Sequence, residues 1–462
     1  MRETQGKINM KKTKSILSFL LSILLIISVG CTDNQAVIYD DYIKSNSETS
    51  SEINKTQSDN ETLSGELTLS IPSIAEGSGY AGTWTYIIDE FNKVYPNIKI
   101  VLRGPETLQN ESDYVSRMTV ELMSGEAGDI VDLSFLPYIN YSESGVFIPL
   151  DSYFENKNDY PIDSYFTNVF DAIRYKNQLY CLPYEFSFFS IRLNRPIVNQ
   201  LDYDIDNMEW INTNTLLEMY FAAKNLDSTP NPFYIQSYTD WSPLSIFEYS
   251  SHINEESKVA SFESEEFIEY LKTIKKMDKP EQSGGFFGVG DLNRIDDDAL
   301  CFFTSPQISH VGDMEQYIRN IDSDKVTDFI SIESGTDSRL FRANLVAVTS
   351  NCKNPDLAWV FIKYLLNNEL KLEQDNLTAS YNPIRKTTME KLLNIRFGAE
   401  QQYIINKIYN WCEGVNTLDM SVTNFNLWMQ LNAICTEYIN DLISAEECAR
   451  RVQERVEIYL KE

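Results

Sequence analysis

The chain has 462 residues, enough for two or three structural units with buried cores. Hydrophobic residues make up 43% and aromatics 12%, with 27 Tyr and 24 Phe, which excludes a wholly disordered, collagenous or disulfide-dense chain. A net charge of −29 argues against nucleic acid or an anionic lipid surface as the main partner. Two histidines, His252 and His310, leave little for a His-rich metal site or histidine-based catalysis.

Arg2, Lys7, Lys11, Lys12 and Lys14 precede an apolar run over 16–29, long enough for the core of a signal peptide and too short for an easy membrane span. It ends in Ser28-Val29-Gly30-Cys31, which resembles the lipobox of bacterial lipoproteins, with Ser28 where that motif usually has Leu. The resemblance implies that residues 1–30 are a lipoprotein signal peptide and that Cys31 is acylated as the membrane anchor. Residues 31–64 are rich in Ser, Asn, Asp, Glu, Thr and Lys, so they bury too little surface to offset chain entropy and read as a disordered tether. The six other cysteines are scattered without CxxC spacing, so no zinc or redox motif is visible and buried free thiols are expected.

From Gly65 the pattern changes. Leu67, Leu69 and Ile71 alternate with polar residues, the period of a half-buried strand. Trp84, Ile87, Ile88 and Phe91 follow at helical spacing until Tyr95-Pro96 stops the helix, and a second strand is expected over 98–102. The next helix carries Val115, Met118 and Leu122 on one face, ends at Ser124-Gly125, and precedes a short strand over 130–133. Strand and helix alternate, which predicts a parallel sheet.

The sequences of 89–100 (DEFNKVYPNIKI), 122–133 (LMSGEAGDIVDL) and 144–154 (SGVFIPLDSYF) resemble the N-terminal lobe of family 1 extracellular solute-binding proteins, the sugar-binding components of ABC importers. Residues 171–194 resemble the segment leading to that family's first interlobe crossing, and 354–366 (NPDLAWVFIKYLL) with 381–386 (YNPIRK) resemble its later Ala-Trp helix and turn. The last helix opens with a capping box of Ser444 and Glu447 and carries Ala449, Val452, Val456 and Tyr459 on one stripe. Two departures stand out: Lys176-Asn177 replaces a Gly, and Ser305-Pro306-Gln307 stands where the second lobe usually has a Gly-rich turn. The resemblance implies an α/β fold of two lobes in the periplasmic-binding-protein manner, each a mostly parallel sheet flanked by helices and discontinuous in sequence, with a cleft between them. Lobe 1 is expected over 65–184 and 335–382, and lobe 2 over 185–334 and 383–462.

A sugar offers hydroxyls in fixed directions and C–H patches on its ring faces, so its binder needs planar aromatics and side chains with paired donors or acceptors. Loops after strand ends are where α/β folds place ligands, which selects Tyr80, Phe135, Tyr138, Tyr184, Glu185, Tyr238, Trp241 and Trp428. The resemblance implies that Trp241 and Trp428 are aromatic walls of the second lobe. Trp84 and Trp359 lie on periodic apolar faces and read as core, and Asp129 after Gly128 reads as ordering a turn. Asp202, Asp204 and Asp206 start like a calcium loop, but Asn207 replaces its Gly and Thr213 its bidentate Glu, so a solvated loop is expected. No catalytic or phosphate-cradling signature occurs, and no metal or cofactor is expected.

These readings imply an extracellular, lipid-anchored, monomeric binding protein, bound to the membrane by its anchor alone. It captures a carbohydrate, an oligosaccharide by preference, and presents it to ABC permease subunits without chemistry of its own. A surface glycosidase using two of the many acids, and a ligand sensor for a receptor kinase, are the alternatives.

Overall fold

The computed structural model describes residues 63–75, 77–107, 110–155, 161–226, 233–235, 245–277, 301–303, 327–335, 337–367, 381–398 and 401–461. Residues 1–30, the tether, Cys31, Tyr238, Trp241 and the turn at 305–307 lie outside the described residues.

The strand expected from the Leu67-Leu69-Ile71 alternation is β1 (Gly65–Ser70), and it is followed by helix α1 (Gly79–Val94), β2 (Ile98–Arg103), α2 (Glu111–Ser124) and β3 (Ile130–Asp132). Both β2 and β3 pair with β1 in parallel, Leu67 lying opposite Ile100 and Leu69 opposite Ile130. Helix α1 buries Trp84, Ile87, Ile88 and Phe91, the stripe its spacing predicts. Asn110 caps α2 by accepting from the Asp113 N–H at 2.8 Å. At the other end Gly125 adopts a left-handed φ of 75° and returns its N–H to the Glu121 and Leu122 carbonyls. A Cβ at Gly125 would lie 2.4 Å from Asn351 Nδ2, so glycine is required there on two counts.

The chain continues through α3 (Tyr138–Glu143), β4 (Leu182–Phe188) and β5 (Ser190–Asn194), then β6 (Trp210–Asn212), α4 (Thr213–Lys224), β7 (Phe233–Ile235) and α5 (Ser245–Ser251). A small hairpin, β8 (Ile253–Asn254) and β9 (Val259–Ala260), leads to α6 (Glu265–Ile274), β10 (Cys301–Phe303), β11 (Thr327–Glu333) and β12 (Leu340–Val348). After α7 (Pro355–Asn367) come β13 (Asn382–Pro383), α8 (Lys386–Phe397), α9 (Gln402–Gly414), β14 (Thr417–Leu418), α10 (Phe425–Ile439) and α11 (Ala445–Lys461).

Beside the β8-β9 pair, the described residues form two large sheets, one ordered β13-β4-β12-β3-β1-β2 with β14 beside β12, the other β6-β11-β5-β10-β7. The α/β architecture has two separate cores, one running from Leu67 to Val415 and the other from Phe189 to Leu460. Both sheets are mixed. Strands that return after a crossing enter against their neighbours, so β12 is antiparallel to β3 and β4, and β5 is antiparallel to β10 and β11. Parallel pairing survives where a helix connects the strands, because only such a connection brings the chain back to the same sheet end.

The lobe limits differ from those expected at two places. All seven residues of β4 are buried in the first sheet, so the first crossing falls at Phe189 and not at Tyr184. Residues 384–398 and 401–415 also stay with the first lobe: Ile384, Met389, Leu393, Phe397, Ile408 and Trp411 belong to its core, and the chain leaves only after β14. The other crossing lies between β11 in the second sheet and β12 in the first. Asp129 does order its turn, accepting from Thr68 N at 2.8 Å and Thr68 Oγ1 at 2.7 Å. Trp359 stacks on Tyr153 with centroids 4.9 Å apart, in the core as expected.

Candidate functional site

The C-terminal ends of β1 and β3 meet the start of α1, the first half of β4 and the returning strand β12, and there a set of rings and carboxylates converges. Asp132, the last residue of β3, is buried and accepts from Trp84 Nε1 at 3.0 Å, Ser134 N at 2.9 Å and Ser134 Oγ at 2.5 Å. Burial raises its carboxyl above the ordinary range, against the pull of those donors and helped by the nearby charge of Glu185. Tyr184, on β4, lies against Trp84 with centroids 5.5 Å apart. Glu185 accepts from Asn344 Nδ2 at 2.5 Å across the β4–β12 pair.

Tyr80 stands in the first turn of α1 and is 37% exposed, yet its phenol is raised above its usual range by desolvation and then by Asp132. Tyr184 and Tyr381 are raised in the same way, each by burial first and then by Asp132 and Glu185 among other groups. Tyr80, Tyr184 and Tyr381 therefore share one electrostatic neighbourhood with two carboxylates. Arg342 of β12 supplies a positive charge to it, lowering Tyr381, and is itself held by Asp419 Oδ2 at 2.6 Å and Ser421 Oγ at 3.1 Å. Asp419 and Ser421 lie on the last crossing, between β14 and α10, so this pair joins the first sheet to the segment that enters the second lobe.

The second lobe meets this region through the start of α10. Phe135, in the loop after β3 with a left-handed φ of 67°, packs edge-on against Phe425 with centroids 5.6 Å apart. Phe425 in turn packs on Trp428 at 5.7 Å, and Ser112 Oγ donates to Asn426 Oδ1 at 2.7 Å. Two buried polar atoms here have no partner among the described residues, Ser78 Oγ at the start of α1 and Trp428 Nε1 on α10. Such atoms are costly unless something else satisfies them.

Tyr80, Tyr184 and Glu185 are thus brought together, and Phe135 and Trp428 are linked through Phe425. Tyr138 is not part of the group: it is buried and donates its hydroxyl to the Ile173 carbonyl at 3.1 Å, because the first turn of α3 faces the core. Trp428, 7% exposed, belongs to the second core as well as to this contact. Asp132, Arg342, Asn344, Tyr381, Asp419 and Phe425 were not among the expected residues. Phe425 had a signal, three residues before Trp428 and so on the same helix face; Arg342 and Asp419, 77 positions apart, had none.

Asp204 accepts from Asn207 Nδ2 at 2.6 Å, and among the described residues no group of acids, cysteines and histidines is placed to hold a metal ion. A surface hollow of about 240 Å³ lies at the far end of α2, lined by residues that include Gly125, Gly145, Thr349 and Asn351. It has no aromatic or ionisable side chain in its wall. Among the described residues no helix is long and apolar enough to cross a membrane.

The fold is shared with solved sugar-binding proteins at low sequence identity. The sugar-binding protein MalE of Xanthomonas citri is 12% identical with a TM-score of 0.61, over 86% of this chain and 98% of that one. An ABC substrate-binding protein of Listeria monocytogenes, in complex with cycloalternan, is 16% identical with a TM-score of 0.59, over 86% and 100%. The cyclic α-maltosyl-1,6-maltose binding protein of Arthrobacter globiformis is 14% identical with a TM-score of 0.53, over 86% and 100%. No curated protein matches the chain in sequence. The family model described as bacterial extracellular solute-binding protein matches residues 77–371, which is most of the folded chain, and the protein belongs to that family.

Proposed function

We propose that this protein captures an oligosaccharide between its lobes and hands it to an ABC permease, without chemistry of its own. The observation that carries the reading is the convergence of Tyr80, Tyr184 and Tyr381 with the acceptors Asp132 and Glu185 on the first lobe, next to the loop whose Phe135 packs on Phe425, and through it Trp428, of the second. Rings of this kind suit the C–H faces of a sugar, and carboxylates held by neutral donors suit its hydroxyls. Ser78 Oγ and Trp428 Nε1 add two donors that a ligand hydroxyl would satisfy. Asp132 and Glu185 are held in place by Trp84, Ser134 and Asn344, so their oxygens keep set directions toward a ligand's hydroxyls. The similar structures with named sugar ligands, cycloalternan and cyclic maltosyl-maltose, make α-glucan oligosaccharides the first compounds to try.

The test is calorimetric titration with linear and cyclic α-gluco-oligosaccharides, followed by chromatography of the same mixtures. Binding with no product is expected. Tyr80→Ala, at an exposed position, and Trp428→Ala should each weaken binding by roughly tenfold to a hundredfold, since a stacked ring is worth on the order of 1–3 kcal/mol. Wild-type affinity in both variants, or steady product formation, would overturn the reading.

We further propose that the mature chain begins at an acylated Cys31 and is held at the outer face of the cytoplasmic membrane by that lipid alone. The basic start, short apolar run and Gly30-Cys31 support it. Metabolic labelling with a fatty-acid analogue should mark the wild type and not Cys31→Ala; label persisting in the variant would exclude this site.

A further inference from the structure

The two C-terminal helices carry a feature that ligand capture does not use. Cys435, on α10, and Cys448, on α11, are fully buried and face each other with their sulfur atoms 3.6 Å apart. Neither has any role in the site described above. Cys181, Cys352 and Cys412 are buried thiols too, but each sits elsewhere, in the first core.

The register that brings the two sulfurs together is fixed from several sides. Arg451 grips Glu437 through its two terminal guanidinium nitrogens, Nη1 and Nη2, at 2.6 and 3.1 Å, close along the helices from the sulfur pair. Leu431, Ala449 and Val452 fill the core around it. Ser444 starts α11 by accepting from Glu447 N at 3.1 Å, so the second helix begins at a defined residue. Tyr249, whose hydroxyl bonds Asn432 Oδ1 at 3.0 Å, also reaches the Cys435 sulfur.

We infer that Cys435 and Cys448 are an oxidisable pair that closes to a disulfide in the exported protein, stapling α10 to α11. The family is extracellular, where disulfides persist, and the sulfurs need approach by only about 1.5 Å to reach bonding distance. The step is thiol–disulfide exchange with a small-molecule disulfide such as oxidised glutathione. One protein thiolate attacks, giving a mixed disulfide and releasing one glutathione thiol. The second protein thiolate displaces the other glutathione, so two protein thiols lose two protons and two electrons while one external disulfide becomes two thiols.

Burial holds the Cys435 thiol well above its usual range, so the closed helix pair does not supply the attacking thiolate. Closure therefore belongs to folding, or to opening of the last helix, and the finished bridge is shielded from reductant. The segment closed is short, the cysteines being 13 residues apart, so the gain in thermal stability is modest.

The experiment refolds the full chain from denaturant with oxidised glutathione, alkylates it with iodoacetamide in denaturant, and maps the peptides. A linked pair of peptides carrying Cys435 and Cys448, two hydrogens lighter than their sum, is expected. Its melting temperature should lie about 2–6 °C above that of protein refolded in dithiothreitol. Dithiothreitol added to the native oxidised form should leave the bridge intact until denaturant is added. Quantitative alkylation of both cysteines after oxidative refolding, or pairing of either with a different cysteine, overturns the inference. Cys448→Ala supplies the control, in which no linked peptide should form.

Discussion

Arg342→Met is expected to destabilise the protein by about 3–5 kcal/mol, the cost of leaving one charge of a buried ion pair without its partner. Asp419 is fully buried and the Arg342 side chain is 14% exposed, so neither charge finds much water when the other is removed. Ser421 would still donate to Asp419 through its N–H and its hydroxyl, both at 2.8 Å, but no positive charge would remain on the carboxylate. Equilibrium denaturation of Arg342→Met, Asp419→Leu and the double variant gives the measure. Each single change should be severe and the double change distinctly less so than their sum. Simple additivity would mean that the two residues do not act as a pair.

Glu248→Gln should alter how stability depends on pH. Glu248, on α5, is buried and accepts from Thr213 Oγ1 at 3.2 Å and Ser334 Oγ at 3.1 Å; His252 Nε2 lies 3.9 Å away. Burial is the main cause that pushes its carboxyl up to about 7, with Glu266 adding to it and the two hydroxyls opposing. A folded value raised above the unfolded one means that the native state holds the extra proton. The stabilisation is complete below about pH 4.5 and is lost as pH rises through 7. A shift of this size corresponds to ~3 kcal/mol. His252 is lowered from its ordinary value, chiefly by burial, so its own contribution has the opposite sign and is lost as pH falls. Glutamine keeps an oxygen for Thr213 and Ser334 and cannot ionise. Relative to wild type, the variant should gain stability steadily from about pH 5 to about pH 8. Parallel curves for the two proteins across that range would show that Glu248 does not titrate there.

The first lobe was readable in sequence as far as Asp132 because its order is local. The β1-α1-β2-α2-β3 unit needs only alternation, a helical stripe and two stop signals, all within consecutive residues. The crossings were not readable in the same way. Nothing at Tyr184 separates the end of a strand from its middle, since β4 is buried on both faces and shows no alternation. Residues 384–398 and 401–415 carry helical apolar stripes that fit a core in either lobe, and only the three-dimensional path assigns them to the first. Of the convergent group, Tyr80 and Tyr184 could be picked out singly, one in the first turn of α1 and one within β4. Tyr138 lies apart from that group because its helix turns the ring inward. Asp132, Arg342 and Tyr381 were missed because what marks them is mutual proximity across long stretches of chain.

The position of β12 has a consequence for how the chain is made. This strand lies between β3 and β4, so Glu185 and Asn344, neighbours in the finished sheet, are 159 positions apart in synthesis. Until β12 emerges, β4 has neither of its partners, because β13 comes later still. A nascent chain that has completed the β1-β2-β3 part can therefore close neither half of that sheet onto the other. Pairing at such a distance is slow, since the closure entropy of the long intervening segment must be met first. Completion of the first sheet therefore waits on the last third of the chain, and the β1-β2-β3 part stands with an unpaired β3 edge until β12 is made.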